Sequence, residues 1–203
     1  MPAAARSAGV AGFVLRTLAW LPAAFAVWYF AAPLLLAPVA WIVRVVADVA
    51  IPGLLHSIEQ SASTLTFVTT LRPGAAIEHG LVTVDVNLLL YSFGLPMFVA
   101  LTLAAREPAW KRNLAIGYAV LLPFIAWGAL ADFLKNVAIT AGPAVASQTG
   151  FTAWQREAIA YAYQFGTLIL PAVMPAVVWV TTHGRFLSGL REPPPEKQGR
   201  TTF

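Results

Sequence analysis

The run from Ala115 to Asn136, AIGYAVLLPFIAWGALADFLKN, limits what this chain can fold into more than any other stretch. It has the length of a helix that crosses a bilayer, about 20 residues, yet it closes on an acid, a base and an amide. Residues three and four apart share one side of a helix, so Asp132, Lys135 and Asn136 fall on a common face. An ionisable pair at membrane depth is expensive to keep and points to function. The plainer alternative is that Asp132 and Lys135 neutralise each other at the level of the lipid headgroups, as surface ion pairs do.

Composition makes this a membrane chain throughout. Hydrophobic residues supply 59% of it and charged residues 11%, whereas a soluble domain carries about 25% charged residues. The net charge of +4 sits beside apolar runs, so it reads as a topology signal and excludes nucleic acid as the expected partner. There are no cysteines, which removes disulfides, thiolate metal sites and a cysteine nucleophile together.

Four spans are expected, at about 17–36, 88–104, 115–136 and 158–180. The first resembles a signal peptide, with Arg6 and Arg16 ahead of it, but its apolar stretch is too long, and Pro22 and Pro33 are expected to bend or end it. Pro38 to Leu55 reads as an amphipathic helix lying in the interface, with Ile42, Val45, Val46 and Val49 on one face and Arg44 and Asp48 on the other. A continuation of the first helix, kinked at Pro33 and Pro38, is the competing reading. Between about 63 and 87 the pattern turns to strand period. Leu65, Phe67 and Leu71 alternate with polar residues, as do Val82, Val84 and Val86, and Arg72-Pro73-Gly74-Ala75 fits a type II turn. A small periplasmic β-hairpin follows from this. Pro96 should kink the second span, and Trp154 is placed as an interfacial anchor for the last. The segment 185–203, with Pro193-Pro194-Pro195 among basic residues, reads as a disordered cytoplasmic tail after a single membrane domain over 1–184.

Charge counting sets the expected orientation. With both termini inside, Arg6, Arg16, Arg106, Lys111, Arg112, Arg185, Arg191, Lys197 and Arg200 lie inside, and only Arg44, Arg72, Lys135 and Arg156 lie outside with most of the acids. Asp132 then falls roughly 25 Å from the inner end of its helix. At that depth it should meet Asn87 and Tyr91 from the second span and Tyr161 and Gln164 from the last. The candidate site is therefore Asp132, Lys135, Asn136, Asn87, Tyr91, Tyr161 and Gln164. Interhelical hydrogen bonding that merely holds the bundle together is the structural alternative. His56 and His79 have only Glu59 and Glu78 near them in sequence, so no metal site and no cofactor are expected, and no recognisable hydrolase or phosphate-binding motif occurs.

The segments VDVNLLLYSFGLPMFVALTLA (Val84 to Ala104), AWGALADFLKN (Ala126 to Asn136) and WQREAIAYAYQFGTLILPAVMPAVVW (Trp154 to Trp179) resemble the exosortase-associated membrane proteins, specifically those that accompany exosortase H. Asn87, Tyr91, Gly94-Leu95-Pro96, Trp127-Gly128, Lys135 and Gln164 carry most of the likeness. The resemblance implies an accessory in the inner membrane of a Gram-negative protein-sorting system, where an exosortase reads a C-terminal signal on an exported protein. Its partners would be membrane lipids and an exosortase or its sorted substrate. The exosortase itself resembles a cysteine transpeptidase, so a chain without cysteine would be a partner and not the sorting enzyme. A small transporter or lipid-binding protein built on the same polar site is the alternative, and an enzyme using Asp132 and Glu157 is a third.

Overall fold

The computed structural model describes residues 2–73 and 80–191. Helix α1 (Pro2–Leu35) leads through Leu36 into α2 (Ala37–Ala50). Three strands follow, β1 (Leu55–Ser61), β2 (Thr64–Thr69) and β3 (Thr83–Asn87). Then come α3 (Leu89–Ser92), α4 (Gly94–Ala105) and α5 (Trp110–Lys135), the last running into a π-helical turn at Asn136–Thr140. After α6 (Pro143–Ala146), α7 (Ala153–Gln164) passes through a second π turn, Phe165–Ile169, into α8 (Leu170–Thr182), and α9 (Gly184–Arg191) closes the described chain.

Three continuous helices are long and apolar enough to cross a membrane: Val10–Leu35, Trp110–Thr140 and Ala153–Thr182. The segment expected as the second span is the shorter apolar helix Leu89–Ala105. It is broken at Phe93, because Pro96 has no N–H to give the Ser92 carbonyl and its ring crowds that oxygen. At the same residue the Ser92 hydroxyl accepts a bond from Trp28 Nε1 at 3.2 Å and ties α3 to α1. By contrast α1 continues through Pro22 and ends two residues after Pro33.

Glycines set how closely the helices approach. A Cβ on Gly94 would strike the Pro171 carbonyl and the Pro175 ring, and one on Gly117 would enter the Phe98 ring. Small residues allow this backbone contact where lipid gives no hydrophobic drive for helices to associate.

The β-element is a three-stranded antiparallel sheet in the order β1-β2-β3, rather than the hairpin expected over 63–87. The residues expected to alternate do so, with Leu65, Phe67, Leu71, Val84 and Val86 all buried. The extra strand, LHSIEQS, buries only Ile58, so its sequence carries no alternating signal. It pairs with β2 from Leu55 opposite Thr69 to Ser61 opposite Thr64, reversing through Ala62, whose φ is 52°. The sheet rests on the end of α5, where the Phe67 and Phe133 rings stack with centroids 4.4 Å apart. Of the turn expected at Arg72–Ala75, Gly74 and Ala75 lie outside the described residues, as do Glu78 and His79. The backbone of Arg72 is pinned instead by Gln148, whose side chain accepts from the Arg72 N–H at 3.0 Å and donates to its carbonyl at 2.9 Å.

Helix α2 is amphipathic, and the face packed on the protein is offset from the apolar face named from the sequence. Val39, Val43 and Ala47 are fully buried, while Val45, Val46 and Val49 are exposed. It lies along α5, with Ile42, Val43 and Val46 near Ala126, Leu130 and Leu134, and Arg44 Nη2 donates to the Ile58 carbonyl of β1 at 2.7 Å. The segment expected to be disordered from 185 starts as part of α9, and 192–203 lie outside the described residues.

Candidate functional site

At the sheet end of the bundle, Asp132 is the hub of a polar cluster. Lys135 Nζ sits 3.2 Å from its Oδ1, and Asn136 Nδ2 donates to the same Oδ1 at 3.0 Å and to the Asp132 carbonyl at 2.9 Å. The two charged side chains are 23% (Lys135) and 14% (Asp132) exposed, which places the pair at the rim of the packed bundle and not in its centre. Lys135 also lies over the Tyr163 ring, 4.3 Å from its centroid, so the ammonium is held between a carboxylate and an aromatic face.

Tyr91 completes the cluster from below. It is 3% exposed, and its hydroxyl faces Asp132 and Thr167. It reaches this position because Gly128 has no side chain: a Cβ there would overlap the Tyr91 ring. Gly166 brings the last helix in on the same spot, where a Cβ would come within 3.1 Å of Gly128 Cα. The Thr167 hydroxyl is buried beside Tyr91 without a well-formed hydrogen bond of its own.

Both long helices widen here. The Ala141 N–H bonds to the Asn136 carbonyl at 2.8 Å, and the Leu170 N–H bonds to the Phe165 carbonyl, each five residues back. Near Thr167 the cause is local, since Pro171 cannot donate to the carbonyl four residues before it and a wider turn relieves the clash. Near Asn136 its own amide takes the Asp132 carbonyl, and Gly142-Pro143 then ends the helix.

Of the seven residues singled out from sequence, Asp132, Lys135, Asn136 and Tyr91 come together. Asn87 does not: it is exposed at the end of β3, and its side-chain oxygen caps the Leu89 N–H at 3.0 Å. Tyr161 and Gln164 face the other way, into an open, largely apolar groove of about 950 Å³ between α2, α5 and α7. The positions of that helix that do join the cluster are Tyr163, under the Lys135 ammonium, and Thr167, beside Tyr91, four apart on the adjacent face. The small residues Ala162 and Gly166, also four apart, were the available signal, because such a pair marks the packed side of a membrane helix.

A second polar cluster, which the sequence did not single out, lies at the opposite end around the loop between α4 and α5. Glu107 accepts from the Phe186 N–H through Oε1 and from Asn113 Nδ2 through Oε2, each at 3.0 Å. His183, fully buried and stacked on Trp179, has Nδ1 3.0 Å from the Trp179 carbonyl and Nε2 3.5 Å from Asn113 Nδ2. A hydrogen on Nδ1 satisfies both, leaving Nε2 to accept. Arg16 Nε donates to the Ala104 carbonyl at 3.1 Å and closes the same end of α4. Among the described residues, His, Asp and Glu side chains nowhere gather in the threes that hold a metal ion, and His56 is exposed on β1.

Long apolar helices that pack through glycine and carry polar clusters at their ends define a helical membrane protein. Within that class the chain belongs to the exosortase H-associated membrane proteins, the family whose model matches residues 7–186. No curated protein and no solved structure matches it.

Proposed function

We propose that this chain is a non-catalytic accessory of an exosortase-type protein-sorting system in the Gram-negative inner membrane. Leu89–Ala105 would act as a fourth span, both termini would be cytoplasmic, and the sheet would stand on the periplasmic side. The observation that carries this reading is the family match over nearly the whole chain, in a sequence without a cysteine to serve as nucleophile. The orientation rests on the basic residues beside α5's first turn and on Arg6 and Arg16. A role in presenting or steadying a partner suits a cluster whose carboxylate is already engaged by Lys135 and Asn136. A transporter would need Asp132 and Lys135 to share a cavity with Gln164, but Gln164 lines an apolar groove whose walls do not include them.

Purification of the tagged chain in mild detergent from its native host tests this. An exosortase should co-purify, and a deletion strain should leave the sorted proteins unprocessed. Absence of the enzyme from the eluate, together with normal sorting in the deletion strain, would end the reading. Orientation is checked separately: a cysteine at Ser63, on the hairpin turn, should react with an impermeant thiol reagent from the periplasmic side, and one at Lys111 should not.

A further inference from the structure

The loop between α4 and α5 forms one wall of a pocket that carries two arginines. Arg106, Glu107, Arg112, Asn113, Thr182 and Phe186 border an open space of about 510 Å³ where the last helix folds over the ends of α4 and α5. The acid in this pocket is turned to the protein, both oxygens of Glu107 accepting from Asn113 and the Phe186 N–H, although its charge offsets one arginine. Among the described residues neither Arg106 nor Arg112 has a carboxylate within ion-pair distance.

Arg106 also occupies a backbone position that favours glycine. It ends α4 in the left-handed region, with φ 54° and ψ 32°, where its N–H caps the Leu103 carbonyl at 3.3 Å. The one other non-glycine residue at positive φ among those described is Ala62, in the two-residue turn between β1 and β2. Glycine would close α4 with less strain, so an arginine held there fits a requirement for its side chain.

We infer that this pocket binds the phosphate of an anionic phospholipid headgroup, with Arg106 and Arg112 as its charged ligands. The pocket lies at the end of the apolar helices, where headgroups sit, and exposed Trp110, next in the chain to Ala109 of its wall, is a residue type that favours the interface. Two guanidiniums offer forked N–H pairs matched to phosphate oxygens. Nearby, Arg16 is bound to the Ala104 carbonyl, which leaves the two pocket arginines for the ligand. This inference goes beyond the sorting role and stands or falls without it.

The test uses the full chain, delipidated in mild detergent, with native mass spectrometry counting bound phosphatidylglycerol or phosphatidylcholine as either is titrated in. Phosphatidylglycerol should be retained in preference, and Arg106→Gly and Arg112→Ala should each weaken it about fivefold. Without lipid, Arg106→Gly should melt at or above the temperature of the native chain, because glycine relieves the left-handed strain. Should Arg106→Gly not fold, Arg112→Ala decides alone, since Arg112 makes no hydrogen bond or ion pair among the described residues. Equal retention of the two lipids, or undiminished phosphatidylglycerol binding in the folded variants, overturns the inference. Displacement of the lipid by inorganic phosphate below millimolar concentration would assign the pocket to a free phosphate and overturn the lipid source.

Discussion

The two ends of the bundle solve the same problem in different ways. Each must satisfy polar groups where helices stop, but the loop end buries its hub and the sheet end leaves its hub at the rim. At the loop end His183 is fully buried and Asn113 nearly so, and the cluster's carboxylate, Glu107, is met by the Asn113 amide and the Phe186 N–H with no cation paired to it. At the sheet end a formal ion pair is used, and both partners stay partly exposed. Burying a full ion pair is expensive unless every lone pair is met, whereas hydrogen-bonded networks can be buried once they are satisfied. The loop end therefore closes on buried hydrogen bonds, and the sheet end keeps a charged pair partly exposed.

This contrast can be broken one side chain at a time. The largest effect is expected for His183→Ala, which removes a buried ring stacked 5.1 Å from Trp179 and strands one Asn113 hydrogen, costing about 3 kcal/mol. Denaturant unfolding in detergent measures it, and a loss below about 1 kcal/mol would show that the loop end is not packed as described. Next comes Gly128→Ala, whose new methyl must displace the Tyr91 ring and should cost about 2 kcal/mol. Gly166→Ala meets its neighbours less severely and should cost less in the same assay. Lys135→Ala alone should cost under about 1 kcal/mol, because Asp132 keeps its bond from Asn136 and remains partly solvated. The smallest change is expected at Thr66→Val, which deletes an exposed 2.6 Å bond to Asp85 between neighbouring strands, at about 0.5 kcal/mol or less.

How much of this was legible in the sequence differs by element. Asp132, Lys135 and Asn136 could be grouped because their spacing on one helix fixes their common face before any tertiary structure exists. Tyr91 followed from topology alone. The phase of the last helix could not be read, because in a membrane both the lipid-facing and the packed side are apolar, and the periodicity that marks burial in water fades. Tyr161 and Gln164 looked like the inward face by polarity, yet Tyr161 is 71% exposed and Gly166, with no polarity at all, is buried at the contact. Helix α2 hid its protein-packed face for the same reason: its exposed valines outnumber its buried ones, and Ala47 on the packed face gives little hydrophobic signal. Strand β1 is specified by its partner, since Gln60 and Glu59 carry no strand pattern until β2 supplies the ladder. The cluster at Glu107, Asn113 and His183 spans residues 70 or more apart between its ends, and no local spacing announces it.

We propose that the rim pair at the sheet end is coupled and that the proposed accessory role depends on it. A double-mutant cycle on Asp132→Ala and Lys135→Ala tests this most directly, scored for folded yield and for sorting in the native host. Both single variants should lower sorting, Asp132→Ala should lower yield more by leaving Lys135 without its carboxylate, and the double variant should recover part of the yield but none of the sorting. Recovery of both in the double variant would make the pair structural only, and two silent single variants would contradict the claim outright.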